Sequence, residues 1–411
     1  MSQEGQDMAG EEPYLVHNGW TRELVVTQPE HVQEFYRKDG KDHMKGKNLN
    51  LGDAFGRLLG RSAGVQGGRK WVAIRAHFDP EFSHSSSVYM SDIFATEISQ
   101  WVTELSQGSA DNPHPISRFV RNAAEACHFL PFRLIALTAY GDALDTKTYQ
   151  ELVHLNDLHE PLMLDAIFGK WTPYKLFNFL PTEFRSRLKK FERSWERLND
   201  EVLAKAREFL QTMYELLYTN IDVTSTVTSF LLLNISANQS FQSKLREEIQ
   251  ARQNEPSYKL MDYVEKKDTL LHYAVMESLR MSPALWFSLP EKTATDKIIG
   301  GYHIPAGTPT IIDWKRLNTT PEIWGADSEV FCPERFASIS PTAYRYAFLR
   351  FGIGSRRCMG QNIAIVMLKM AVIEVLKRYS MKVGYDSGIR NDRFTVTSEG
   401  EIEFMSIEGE D

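Results

Sequence analysis

The sequence predicts a mainly α-helical protein with a small β region, and three observations carry that expectation. Apolar positions recur every three or four residues through residues 90–152, and the apolar runs at 230–233 and 363–375 suit core helices. Strand-like stretches are short: ELVVT at 23–27, and the turn-rich segment around GGYHIPAGT between Leu289 and Gly307. The composition, with 42% hydrophobic residues, 23 Phe and 14 Met, suits a large apolar interior. At 411 residues the chain is long for one domain, yet within the range of large single-domain enzymes, so one domain over 1–411 is expected.

A net charge of -7 argues against nucleic acid as the main partner. Three cysteines, Cys127, Cys332 and Cys358, are an odd and sparse set, which reads as a reduced compartment rather than a disulfide framework. The first twenty residues are polar and acidic, without the basic and apolar regions of a signal peptide, and no segment is long and apolar enough for a membrane anchor. Residues 1–13 are expected to form a polar, disordered tail.

In chain order, the strand at 23–27 precedes a helix at 29–37 (PEHVQEFYR) with proline in its first turn. Residues 40–68, rich in Gly, Lys and Asn, read as a long loop. In KWVAIRAHFDPEFSHSSS (70–87), Trp71 and Arg75 stand at i and i+4 on one helical face, a spacing that alone suits a cation–π or packing pair. Scaffold helices fill 90–152, broken at 108–115 (GSADNPHP), with Gly141 ending one segment. Residues 162–184 are dense in aromatic groups around Pro173 and Pro181, which fits either a lid or plain core. Interleaved charges at 185–205 indicate a solvated surface helix. A long apolar helix spans 209–237, where Asp222 could serve only to cap or bend it. Another helix follows, with Asn238 a candidate cap. Glu277 and Arg280 at i, i+3 are by themselves an ordinary surface pair.

The chemistry concentrates in FLRFGIGSRRCMGQNIAIVMLKM (348–370). Cys358 is flanked by Arg356 and Arg357 and followed at once by an apolar helix, so the helix dipole and nearby cations favour thiolate. That suits a metal ligand or a nucleophile, beside the plainer reading of a buried structural cysteine. A nucleophile needs a base, yet no histidine follows Cys358 and the nearest one before it is His303.

Phe351, Gly354, Arg356, Cys358 and Gly360 match every fixed position of FxxGxRxCxG, and on these residues the chain resembles the cytochromes P450. The resemblance implies heme b (Fe) ligated by Cys358, Arg356 paired with a heme propionate, Phe351 against the proximal face, and Gly354 and Gly360 bending the backbone beneath the macrocycle. A thiolate ligand donates electron density that favours O–O cleavage. Trp71 and Arg75 resemble WxxxR, whose members meet the propionates, and Pro80, Phe82 and Ser83 fall on the turn that follows it. Glu277 and Arg280 resemble ExxR, with Arg335 in CPERF as the third member of that buried charge network.

Three departures accompany these matches. The family's AGx(D/E)T(T/S) falls on Thr219, Asn220, Ile221, Asp222, Val223 and Thr224, so the acid is kept but the alcohol beside it is Val223. Thr224 lies about 100° further around the helix. Proton delivery is then expected from Asp222 with water, from Thr224 after a local kink, or from the substrate. Glu291 stands where many members carry a basic residue, with Lys292 as the expected substitute, and Asn318 where a histidine is common. The chain also begins near the family's first strand, and the interval from Leu180 to Asp222 is too short for its usual helices, so one is expected to be missing or merged.

The resemblance implies a P450 fold and oxidation of a small apolar organic substrate by O2, through hydroxylation, coupling or desaturation. Electrons would come from NADPH through NADPH-cytochrome P450 reductase. Val223, Trp286 and Phe287 are the expected pocket residues. NIDVTS, SLPE and IDWKRLN resemble fungal members of secondary metabolism. Alternatives are a heme-thiolate isomerase or dehydratase that needs no proton relay, and a non-catalytic heme-binding protein. The family's usual home is the endoplasmic reticulum membrane, and residues 162–184 could make a peripheral membrane contact.

Overall fold

A computed structural model describes residues 1–18, 21–107, 116–202, 210–385, 388–390 and 395–407. Its axis is the central helix, which runs from Leu210–Tyr214 through a π-helical turn at Glu215–Thr219 into Asn220–Ala237. Buried residues lie around most of its circumference, among them Ile221, Ser225, Phe230, Leu231 and Ile235, so it is enclosed by other helices rather than laid on a surface. Leu130–Tyr140 and Leu270–Met281 pack on it, and Gln361–Arg378 packs on Leu270–Met281 and on Ser91–Leu105. Contrary to the expectation that no segment is long and apolar enough to cross a membrane, the described segment Thr212–Ala237 is, but it is this core helix and most of it is buried.

The β structure is small, as expected. A five-stranded sheet has the order Tyr14–Asn18, Thr21–Val26, Pro309–Ile312, Glu291–Lys292, Met44–Lys45. Thr21–Val26 and Pro309–Ile312 run parallel, and the other neighbours are antiparallel. A three-stranded sheet joins Arg118–Asn122, Glu401–Ser406 and Tyr379–Val383. Lys297–Ile299 and Tyr302–Ile304 form a hairpin turned by Gly300 and Gly301, both at positive φ.

Several expectations need correction. Residues 1–13 are not a disordered tail: Ser2–Ala9 is helical, and the Ser2 hydroxyl donates to Asp313 at 2.6 Å. The expected loop at 40–68 contains a strand, Met44–Lys45, and a helix, Asp53–Leu59. That helix starts where it does because its first N–H groups, on Asp53 and Ala54, donate to the carbonyls of Pro173 and Thr172. The charged segment forms Glu183–Val202, but it is more than a solvated face. Phe184, Leu188, Phe191, Trp195 and Leu198 are buried at helical spacing against Thr146–Phe168. Asn238 stands at the N-cap as expected, but its side chain makes no capping hydrogen bond, and its amide donates back to the Asn234 carbonyl at 2.8 Å.

Residues 162–184 divide. Leu162, Met163 and Ala166 are core, whereas Phe168, Trp171, Tyr174, Leu176, Phe179 and Leu180 are exposed. Between Leu180 and the central helix the described residues hold one helix, Glu183–Val202. The break at 108–115 lies outside the described residues.

Candidate active site

The cysteine loop and the central helix face each other across a cavity of about 400 Å³. Its floor is built by backbone geometry. The Cys358 N–H donates to the Phe351 carbonyl at 2.7 Å, closing a loop that Gly352 and Gly354 turn at φ 71° and 73°. Gly360 is the N-cap of Gln361–Arg378, so Cys358 stands two residues before that cap. Its side chain is open to the cavity and enclosed by protein on other sides. In the chain alone, burial pushes the Cys358 thiol above its ordinary value, and the N–H groups of Gly360 and Gln361 together with Arg75 offset only part of that. The helix N-terminus acts as expected, but the cation that acts is Arg75 rather than the flanking Arg356 and Arg357, and neither wins against burial.

Helix Gly68–Phe78 brings Trp71 and Arg75 to the cavity. Arg75 donates to the Arg357 carbonyl at 2.9 Å and to Asp79 at 2.6 Å, while Arg356 lies over the Trp71 ring at 4.3 Å and donates to the Gln66 carbonyl at 2.9 Å. Phe351 and Gly360 also line the cavity; Gly354 shapes the loop without lining it. Lys292 does not reach the cavity, and Lys45 does. Lys45 and Glu291 are cross-strand partners, joined at 2.9 Å. Burial alone would raise the Glu291 carboxyl, but Lys45 and His43 hold it down at about 2. Tyr36 adds a hydrogen bond to Glu291 at 3.3 Å.

Across from the floor, Val223 and Thr224 line the cavity but Asp222 does not. Asp222 faces a second, much smaller cavity of about 20 Å³, together with Asn156, His159 and Glu160. Such a volume holds about one water. Thr219 lines both cavities, at the end of the π-helical turn. Trp286 and Phe287 are not among the residues lining the large cavity, contrary to expectation. The Trp286 carbonyl accepts the Trp314 N–H at 2.9 Å and its ring carries the Lys315 ammonium at 5.0 Å, while Phe287 bridges to Asp313. These contacts tie both residues to the 313–315 segment, and Leu285, Ser288 and Leu289 line the cavity instead. Sequence reading missed Lys45, Thr219 and Glu215; only the acid-bearing helix pattern around Asp222 pointed near the last two.

Behind the floor, Glu277 and Arg280 are fully buried and doubly bonded at 2.8 Å. Arg280 also donates to the carbonyls of Asn318 and Ser328, each at 2.6 Å. Arg335 donates to Glu277 at 2.9 Å and to the Val330 carbonyl at 3.1 Å, and the Cys332 N–H donates to Glu277 at 2.9 Å. Glu277 thus ties the helix Leu270–Met281 to the segment that leads into the cysteine loop.

A mainly helical fold that sets one cysteine at the floor of a largely apolar cavity, with guanidinium groups beside it, suits a thiolate-ligated cofactor. A family model described as Cytochrome P450 matches residues 199–399. Cytochrome P450 monooxygenase lepD of Aspergillus flavus is 39% identical over 98% of this chain and 85% of its own length. Cytochrome P450 monooxygenase opdB of Penicillium oxalicum is 37% identical over 99% and 84%, and apdB of Emericella nidulans 36% over 94% and 83%. The chain belongs to the cytochrome P450 family and, like these fungal relatives, is a P450 monooxygenase. Heme is the cofactor this family implies, and the donor set fits it. One soft sulfur faces a large cavity, and Lys45, Arg75 and Arg356 supply positive charge for two propionates.

Proposed function

We propose that Cys358 ligates the iron of heme b and that the protein inserts one atom of O2 into an organic substrate held against the central helix. The observation that carries this reading is Cys358 open to the cavity floor, with Trp71, Arg75, Arg356 and Lys45 around the same cavity. When bound, heme supplies the oxygen-activating chemistry; the chain positions substrate and protons. Arg75 and Arg356 hold propionates, with Trp71 fixed between them, and Lys45 reaches the cavity while paired with Glu291. The N–H groups of Gly360 and Gln361 stabilise negative charge on the sulfur. Leu216, Val223 and Leu289 present apolar surface to the substrate.

Asp222 and Thr219 line the small cavity together and Thr219 also lines the large one, so proton delivery runs from the Asp222 carboxyl through water in the small cavity. Thr224 orients solvent on the cavity side. Electrons come from NADPH through a separate reductase. The exposed Trp171, Leu176 and Phe179 rest on a membrane surface. Val223, which cannot move protons, favours a second reading: a rearrangement or dehydration of an oxygenated substrate.

The test is the absorption spectrum of the reduced protein under carbon monoxide, beside Cys358→Ala and Cys358→His. A strongly red-shifted Soret band, absent from both variants, is the expected result. An imidazole-type band in the unaltered protein would sink the thiolate assignment. Product formed only with reductase and NADPH separates oxygen insertion from rearrangement.

A further inference from the structure

Two carboxyl groups line the large cavity. Glu291 is neutralised by Lys45, whereas no cation pairs with Glu215 among the described residues. Glu215 opens the π-helical turn of the central helix, and such turns are frequent at functional sites. Its Oε2 accepts the Gly64 N–H at 2.9 Å. A Cβ on residue 64 would lie 1.8 Å from Oε1, so the carboxyl fits only because that residue is glycine. The site is thus built from two sides: a helix irregularity delivers the carboxyl, and a side-chain-free loop residue receives it. Around it the cavity is apolar, with Ala63, Leu134, Ile135 and Leu216 among its walls. Burial lifts the carboxyl to about 7, and the Gly64 N–H and the nearby Ser62 hydroxyl offset only part of that.

The Gly64 N–H and the Ser62 hydroxyl leave part of the carboxylate's acceptor capacity unused, and a buried acceptor without a counter-charge is costly unless further donors reach it. We propose that Glu215 anchors the substrate by accepting a hydrogen bond from an N–H or O–H group, so that the substrate is an apolar body with one polar donor rather than a plain hydrocarbon. The inference deepens the reading of the same cavity as a substrate site and rests on it.

The test uses calorimetry at pH 8 on the heme-loaded full chain, with 2-naphthol and its methyl ether as probes. The ether replaces the O–H donor by a methyl group. The unaltered protein binds 2-naphthol about tenfold tighter or more, in line with a hydrogen bond to a charged acceptor. Glu215→Leu removes that preference, and Glu215→Gln, which keeps an accepting oxygen but no charge, reduces it. Equal binding of both probes by the unaltered protein, or an undiminished preference in both variants, overturns the proposal. Should the leucine variant fail to fold, the glutamine variant decides alone. The carbon monoxide spectrum is recorded separately for every protein. A donor preference lost with Glu215 in a protein without the red-shifted band would overturn the thiolate reading and leave the anchor standing.

Discussion

Glu277 illustrates how much can hang on one side chain. Its two oxygens answer two guanidinium groups and a backbone N–H, all out of reach of water. Separately, Arg280 carries the Trp324 ring at 5.2 Å and two carbonyls. Glu277→Gln removes the charge and leaves two buried cations facing each other, so unfolding by urea should show a loss of about 3–5 kcal/mol. A loss below about 1 kcal/mol, as for an exposed pair, would mean that the network contributes geometry without stability. Sequence alone could not tell these cases apart, since Glu and Arg at i, i+3 look alike on a surface and in a core. Burial makes the difference, and the groups that meet the pair there come from 38 to 58 residues away.

At the scale of elements, the cysteine loop and the helix Asp53–Leu59 show opposite degrees of legibility. The loop is readable because its glycines answer local backbone demands. Gly354 sits at φ 73°, and a Cβ there would meet nothing nearer than the Gly40 carbonyl at 3.9 Å. Gly354→Ala should therefore lower stability through backbone strain alone, by about 1–2 kcal/mol. Gly360 has φ −77° and room for a Cβ 3.8 Å from the Cys358 sulfur, so Gly360→Ala should cost the chain little. Equal shifts in the denaturation midpoints of the two variants would contradict this account. Helix Asp53–Leu59 is different, because Thr172 and Pro173 supply acceptors for its first N–H groups. No pattern within 40–68 encodes that partner. The π-helical turn likewise changes helical register where the Asp222 motif begins, and it places Thr219 on the walls of both cavities, which no residue pattern in the motif encodes.

Across the whole molecule, the fold class and the cysteine floor followed from local patterns, whereas the charges around the cavity depended on pairings between distant strands. Lys45 meets Glu291 only because their strands, 246 residues apart, share a register. Beside them, His43 lies 3.2 Å from Asp39 and 3.6 Å from Glu291, and Lys297 bonds Asp39 as well. This cluster joins the five-stranded sheet to the hairpin strand Lys297–Ile299, next to the cavity. Its acid response has a defined sign. Glu291 is held at about 2 in the folded protein against an ordinary 4.5, and Asp39 is also lowered, the Lys297 and Thr295 hydrogen bonds overcoming its burial. A depressed folded value means stability that is fully present above about pH 4.5 and is lost as pH falls through the folded value near 2. For Glu291 the loss is on the order of 3 kcal/mol. Urea midpoints measured from pH 6 down to pH 2.5 should fall steeply in the unaltered protein. In Glu291→Gln they should start lower, because Lys45 has lost its partner, and fall less steeply. Parallel curves for the two proteins would show that the acid sensitivity resides in carboxyl groups elsewhere.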